Sequence, residues 1–245
     1  MDLGLRVKSL MPLLLAGMSS TALCATFNLD YLKEGHGLIE VGGYGAIQGK
    51  SQHINIPTRI GNDFTVNSGT SGNVLVGLGY EHLFKQHEGV GLSYGLSLFY
   101  LAPTKVSGNI LIENELNNFS YSYQVSHLPL YGMLKASKDL SNSRYKVLAD
   151  VGIGPNFMFL SDYKETPYLT NSIPDNAFSS TNTTTFSVTA GLGFEIKNVI
   201  GTHPVRCGYR FYYLGEGSLS HNAKVENNLS TGSIYANAGV CSMVF

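Results

Sequence analysis

Residues 186–196 read FSVTAGLGFEI, and their polarity alternates from one residue to the next. Phe186, Leu192 and Phe194 share one parity, whereas Ser187 and Glu195 share the other. Successive side chains of an extended strand point to opposite faces, so this segment has one apolar face and one small or polar face. An amphipathic helix would not keep this parity over so many residues. The segment therefore predicts a β-strand.

The same alternation recurs along the chain. It is clearest in residues 74–81, 91–100 and 205–213, and it is also present in residues 38–47, 119–134, 145–159 and 234–245. Together with the first segment these make eight predicted strands. Ten strands would result if a long loop contained a further hairpin, for example one in which residues 110–112 pair with a neighbour.

The segment 119–134 alternates less regularly than the others. Tyr121, Tyr123 and Val125 begin it on one parity, which we assign to the outward face. Pro129 follows, and a proline cannot donate to the hydrogen-bond ladder of a sheet. We therefore expect a β-bulge or a change of register at Pro129.

The composition indicates that these strands lie in a membrane. Charged residues make up 13% of the chain, whereas a typical soluble domain has ~25%. The mean hydropathy of +0.03 is nevertheless too low for a helical membrane protein. Because only helices and closed barrels satisfy their backbone in lipid, the composition favours a transmembrane β-barrel.

The first 25 residues have the order of a secretory signal peptide. Two basic residues precede the apolar stretch 10–16, and small residues follow it. That stretch is shorter than the ~20 residues of a membrane-spanning helix. We expect cleavage near residue 25, which leaves residues 26–245 as the barrel domain. A lipoprotein modified at Cys24 is the alternative.

The connections between the predicted strands alternate in length. Long, polar connections are expected at residues 48–72, 102–118, 161–184 and 215–232, with short turns between them. Bacterial barrels have long extracellular loops and short periplasmic turns. An even strand number then places both chain termini on the periplasmic side.

The signal peptide, the glycine- and aromatic-rich alternating strands and the terminal Phe245 resemble one superfamily. It is that of the small outer-membrane β-barrels, which includes the OmpA transmembrane domain, the OmpX–Ail group and the opacity proteins. The resemblance covers the mature chain and implies an all-β, antiparallel, up-and-down barrel in the bacterial outer membrane. It also implies contact with outer-membrane lipid and lipopolysaccharide, and recognition of Phe245 by the barrel-assembly machinery. Members of the superfamily include adhesins, immune-evasion factors and membrane anchors, and the resemblance does not choose among them.

Strand parity places a set of charged residues inside the barrel. These are Glu40, Glu81, Lys146, Asp150, Glu195, Arg206 and Arg210. An eight-stranded barrel is just wide enough for its side chains to fill it. One interpretation is that these residues form buried ion pairs that plug the lumen, since an unpaired buried charge costs several kcal/mol. The other interpretation is a gate whose arginine–carboxylate pairs rearrange to open a narrow pore.

Two cysteines of the mature chain lie on the last two predicted strands. Cys207 and Cys241 are both outward by parity, and they fall opposite each other if the final hairpin is centred near Lys224. A cross-strand disulfide is one candidate, because exported proteins meet an oxidising compartment. Two free cysteines that act as small lipid-facing residues are the alternative.

We find no catalytic, cofactor-binding or metal-binding motif in the sequence. The histidines fall mostly in loops or turns, and no serine, histidine and acid can be grouped. His127 beside Ser126 comes nearest, and we interpret it as a structural histidine near a turn. A net charge of −1 without a basic patch argues against nucleic-acid binding.

Three functions remain to be compared. The first is a non-enzymatic surface protein that acts as a scaffold, adhesin or antigen and meets host or surface ligands through its loops. The second is a narrow passive pore gated by the interior charges. The third is a lipid-modifying barrel enzyme.

Overall fold

The structure is a computed structural model that describes residues 35–113, 116–141, 144–169 and 172–245, without the side chains of residues 116 and 117. The predicted signal peptide, residues 1–25, lies outside the described residues. Within them, no helix is long and apolar enough to cross a membrane.

The described residues form antiparallel β-strands joined by turns and loops. In chain order the strands are β1 (Gly35–Ile47), β2 (Gln52–Ile54), β3 (Asn62–Ser68), β4 (Thr70–His87), β5 (Val90–Ile112), β6 (Leu116–Asp139), β7 (Tyr145–Pro167), β8 (Phe178–Ser179), β9 (Thr181–Ile200), β10 (His203–His221) and β11 (Leu229–Val244).

Eight of these strands close into a ring, in the order β1, β4, β5, β6, β7, β9, β10 and β11. β1 and β11 complete it through an unbroken register from Leu38↔Val244 to Ile47↔Tyr235. The prediction of an eight-stranded, antiparallel barrel is confirmed. The hairpin considered for a ten-stranded barrel exists as β2 and β3, and Ile110 pairs with Phe64 in it. It extends the wall at one end without widening the ring.

The two ends of the barrel differ, and we name them by their connections. At the short-turn end, residues 88–89 join β4 to β5 and residues 201–202 join β9 to β10. β6 ends and β7 begins at the same end, where β1 also begins and β11 ends. Glu88 and Gly89 have φ of 49° and 77°, as a two-residue hairpin turn requires. At the long-loop end, residues 113–115 are all that separates β5 from β6. The prediction of a long loop over 102–118 was therefore wrong, because these strands continue well beyond the apolar band described next.

The outward side chains form an apolar band around the barrel. Leu78, Leu96 and Leu192 are 60–69% exposed, as expected of side chains that face lipid. On β6 the apolar outward residues run from Leu128 to Ala136, close to the ~9–11 residues with which a tilted strand crosses a bilayer. Above this band the outward residues of β6 are polar: Ser120, Ser122, Gln124 and Ser126.

The predicted orientation of Tyr121, Tyr123 and Val125 was wrong. Each is at most 2% exposed and points into the barrel. Towards β7 the expected change of register at Pro129 is absent, since Pro129 pairs with Asn156 in a ladder that continues on both sides. Towards β5 the register shifts close by, between Leu101/Thr104 opposite His127 and Val125, and β5 rather than β6 carries the extra residue. Inward parity is constant along β6; what changes is the environment. Apolar residues point outward where the strand faces lipid and inward where the wall stands above the apolar band.

The inward aromatic residues of this upper wall form the core of the long-loop end. Phe64 packs against Tyr121 with ring centroids 5.1 Å apart and against Phe178 at 5.6 Å. Tyr163 meets Phe178 edge-on at 5.2 Å. The long-loop end is thus packed in the manner of a soluble β-protein, with apolar residues inside and polar residues outside.

Candidate functional site in the barrel lumen

A layer of ion pairs crosses the lumen near the short-turn end, and we call it the charged layer. Its members are Glu40, Glu81, Lys135, Lys146, Asp150, Glu195, Arg206 and Arg210. Arg206 joins two acids: its Nη1 lies 2.6 Å from Oε1 of Glu81, and its Nε lies 2.7 Å from Oε2 of Glu195. Arg210 Nη1 lies 3.0 Å from Oδ1 of Asp150.

The register of the strands explains several of these contacts. Glu195 on β9 stands directly between Arg206 on β10 and Lys146 on β7. Lys146 Nζ lies 3.4 Å from Oε1 of Glu195. Directly opposed residues of unlike charge attract each other across a strand pair. The seven predicted interior residues therefore lie in one layer, and six of them are ion-paired.

Lys135 completes the layer and was not among the residues predicted to lie inside the barrel. Its Nζ donates to Oε2 of Glu81 over 2.6 Å. The misjudged parity of β6 would have placed Lys135 outside unless the register changed. Glu40, in contrast, was predicted correctly to point inward, but within the described residues it makes no hydrogen bond or ion pair. It lines a small cavity of about 40 Å³ beside Arg210.

Above the charged layer, three large rings fill the lumen, and we call them the aromatic layer. Phe99, Tyr131 and Tyr212 are all fully buried. Phe99 lies 6.1 Å from Tyr131 and 5.9 Å from Tyr212, measured between ring centroids. The Arg210 guanidinium carbon lies 5.3 Å from the centroid of Phe99, which is within the range of a cation–π contact. Arg210 thus links the two layers.

His127 lies in the lumen in the middle of β6, so the expectation that it sits near a turn was wrong. It is fully buried, and its Nδ1 lies 3.0 Å from Nδ2 of Asn156. The same Nδ2 donates to the carbonyl oxygen of Leu214 over 2.7 Å. The imidazole has an amide rather than an acid as its neighbour, so this pair does not resemble a catalytic dyad.

Other histidines lie at the ends of the barrel. His53 on the β2–β3 hairpin has its Nδ1 2.6 Å from Oδ1 of Asp63. The hydrogen bond to Asp63 raises the pKa of His53. Since the two residues oppose each other on β2 and β3, this contact links the strands of the hairpin. Within the described residues, no group of three or more His, Cys, Asp and Glu side chains is placed to hold a metal ion.

The long-loop end encloses a cavity of about 640 Å³. One of its walls, residues 172–177, is fixed by Glu165. The Glu165 carboxylate accepts hydrogen bonds from the backbone N–H groups of Asp175, Asn176 and Ala177 over 2.9–3.2 Å. It also accepts one from the hydroxyl of Tyr163 over 2.7 Å. The amino-acid sequence does not mark this cavity, because its walls come from separate parts of the chain.

Cys207 and Cys241 lie directly opposite each other on β10 and β11. Their Cα atoms are 4.1 Å apart, and the structure joins their sulfur atoms. They stand on the outward face, as predicted from parity. We propose that this bond forms when the chain enters an oxidising compartment.

The disulfide is expected to stabilise the barrel. It closes a segment of 34 residues, for which the chain-entropy estimate is about 3–4 kcal/mol. Mass spectrometry of the purified protein, alkylated without reduction, should find no modified thiol at either position. The double variant Cys207→Ala/Cys241→Ala should unfold at lower urea concentration than the oxidised protein. Alkylation of both thiols in freshly purified protein would disprove the bond.

The fold is that of the small outer-membrane β-barrel proteins, and the predicted resemblance to them is confirmed at the level of the fold. OprG from Pseudomonas aeruginosa matches with a TM-score of 0.50 and 14% identity, over 86% of this chain and 96% of OprG. Neisserial surface protein A matches at 0.45 and 9%, over 86% of this chain and 96% of its own. The outer membrane protease OmpT of Escherichia coli matches at 0.47 and 8%, over 87% and 97%.

No family model and no curated protein match this sequence. The structural likeness to OprG shows the fold alone, so the function has to be argued from the residues of this chain.

Proposed function

We propose that the chain is a non-enzymatic surface protein of the bacterial outer membrane, in which a closed barrel carries a binding platform at its long-loop end. The observation that carries the proposal is the contrast between the two ends of the lumen. Its lower part is filled by the charged and aromatic layers, whereas its upper part is built into an ordered rim around a cavity.

The filled lumen supports a scaffold rather than a pore. Arg206, Arg210, Glu81 and Glu195 are all at least 87% buried as side chains, and they are held by short ion pairs. A solute would have to break these pairs, and each broken pair leaves a buried charge without compensation. It would then have to displace the fully buried rings of Phe99, Tyr131 and Tyr212.

The long-loop end supports a role in recognition. Binding residues are commonly carried by loops on a rigid scaffold, and here the scaffold extends above the apolar band. β5, β6 and β7 are 23, 24 and 23 residues long, about twice what is needed to cross a bilayer. The β2–β3 hairpin fixes a further part of the rim. The hydrogen bonds from the backbone of residues 175–177 to Glu165, which we call the Glu165 anchor, fix another.

The orientation proposed for the barrel follows from its ends. Both terminal strands reach the short-turn end, which we assign to the periplasm, and the long-loop end then faces outward among lipopolysaccharide. Phe245 is 54% exposed, and its backbone pairs with Gly37 through two hydrogen bonds of 2.8 and 3.0 Å. This position suits recognition by the barrel-assembly machinery before the ring closes.

The second candidate is a narrow pore, and one observation favours it. A cavity of about 110 Å³ lies at the short-turn end and reaches the charged layer at Glu81, Lys135 and Arg206. Such a vestibule could admit ions if the charged layer rearranged. The aromatic layer above it provides a further barrier, and for this reason we favour the closed barrel.

Single-channel recording tests the choice between the two candidates. The refolded native barrel in a planar bilayer is expected to show no stable openings. Phe99→Ala/Arg210→Ala, which removes the contact between the two layers, is expected to conduct. Phe211→Ala on the lipid-facing side is the matched control and should stay silent. Regular openings of the native protein would establish the pore and overturn the proposed function.

A further inference from the structure

The cavity at the long-loop end has the size of a ligand site. Its volume is about 640 Å³, and small-molecule sites usually measure ~300–1,000 Å³. The walls come from the first loop at residues 56–62, the top of β5 and β6, the loop 172–177 and the turn at residues 224–225. A site assembled from four connections needs fixed walls, and the Glu165 anchor provides one of them.

The floor of the cavity is apolar and closed. Phe64, Ile110, Phe119 and Val225 line it and are at most 9% exposed. Below them lies the packed aromatic core of the long-loop end, so a ligand could not pass further into the barrel. The apolar part of a small ligand would be shielded from water when it lies against this floor.

Among the described residues that line the cavity, two are cations, Arg59 and Lys224, and only Lys224 is paired with an acid. Lys224 and Asp175 pair with each other, with Nζ 2.9 Å from Oδ1. Glu165 lines the cavity too, but its oxygens are occupied by three backbone N–H groups and the Tyr163 hydroxyl. Burial raises the pKa of Tyr163, so its hydroxyl stays protonated and keeps donating. Arg59 is the remaining cation of the rim, and within the described residues its guanidinium has no acidic partner.

We infer that this cavity binds a small carboxylate with an apolar body, whose charged group meets Arg59 and whose body lies on the floor formed by Phe64 and Phe119. A guanidinium matches a carboxylate with two parallel hydrogen bonds, which gives direction as well as attraction. Asn62 and Asn118 also line the cavity and can form hydrogen bonds with a polar edge of the ligand. Among the described residues that line the cavity, both acids, Glu165 and Asp175, already have partners, so a cationic ligand finds no free acid among them. The inference rests on the proposed function, because it names the ligand class of the same long-loop end.

Binding can be measured with 4-(trifluoromethyl)benzoate as the probe. Its ¹⁹F relaxation is followed as the full barrel, in lipid nanodiscs, is added, and empty nanodiscs give the signal due to lipid alone. The uncharged 4-(trifluoromethyl)benzamide has nearly the same shape and is the matched control ligand. We expect the carboxylate to bind about two- to fivefold more tightly than the amide, since Arg59 is exposed and ion pairs at exposed positions are weakened by solvent.

Three variants locate the site. Arg59→Gln should weaken carboxylate binding about two- to fivefold and leave the amide unchanged. Ile112→Trp, which places a large ring in the cavity from a partly buried lining position, should abolish binding of both. Arg144→Gln removes an arginine at the short-turn end and should change nothing.

Equal binding of carboxylate and amide, or no signal beyond that of empty nanodiscs, would overturn the inference. So would an Arg59→Gln variant that binds like the native protein. Conductance separates this result from the proposed function: a silent barrel without carboxylate binding keeps the scaffold and loses only the ligand class. A barrel that conducts and still binds the probe would keep the ligand class and overturn the closed scaffold.

Discussion

Arg206→Met is expected to lower the free energy of unfolding by about 3–5 kcal/mol, the cost of leaving a buried charge without its partner. Arg206 is the cation shared by Glu81 and Glu195, at 2.6 and 2.7 Å. Methionine keeps much of the volume of the side chain, so the loss is one of charge. Urea unfolding in lipid vesicles, followed by far-UV circular dichroism and gel mobility, measures it. Tryptophan fluorescence cannot be used, because the chain has no Trp.

Two further variants separate charge from packing. Lys146→Met removes a cation that is 25% exposed and 3.4 Å from Glu195, so it should cost about 1 kcal/mol or less. Arg206→Met/Glu195→Gln removes the excess negative charge while Lys135 still neutralises Glu81, so it should recover much of the lost stability. If the double variant is no more stable than Arg206→Met, the loss comes from packing and the charged layer is not the reason.

The sequence predicts the charged layer because one rule governs the whole apolar band. Where a strand crosses lipid, the outward parity has to be apolar, and every charge of the other parity has to point inward. Glu195 follows this rule, because its neighbours Phe194 and Ile196 have the outward parity and Glu195 has the inward one. The same rule places Cys207 and Cys241 on the outward face. It needs no knowledge of the partner strands, and for that reason a single sequence is enough.

The same rule fails above the apolar band. In β6 the apolar residues shift from odd positions, such as Tyr121 and Tyr123, to even positions, such as Leu130 and Leu134. Such a shift in a strand can arise from a bulge, as we expected at Pro129, or from a strand that leaves the membrane. The sequence alone does not distinguish the two cases, and the orientation of Lys135 depends on which one holds. The same ambiguity explains why a loop was predicted where β5 continues to residue 112 and β6 begins at residue 116.

The cavity of the long-loop end cannot be predicted from this parity rule. Arg59, Glu165 and Lys224 are far apart in the chain, and only the closed ring and the hairpin of β2 and β3 bring them around one space. Their loops are polar and irregular, so no periodicity marks which side chain faces the cavity. A site of this kind depends on tertiary contacts such as the three backbone N–H groups that hold Glu165.

Tyr123→Asp is expected to cost at least about 3–5 kcal/mol of unfolding free energy, since it removes a buried ring and buries a charge in its place. Tyr123 is 2% exposed and stacks with Tyr121 at 6.3 Å between ring centroids. Ser122→Asp is the matched control: the same side chain is introduced one residue away, on the polar outward face, and should change stability by no more than ~0.5 kcal/mol. Heat-modified gel mobility and urea unfolding of the two variants compare them directly. If β6 changed register at Pro129, as its apolar pattern alone suggests, residue 122 would point into the lumen, and Ser122→Asp would be damaging as well because it would bury a charge. The pair of variants therefore decides whether the shift of apolar parity marks a bulge or the point at which the strand leaves the membrane.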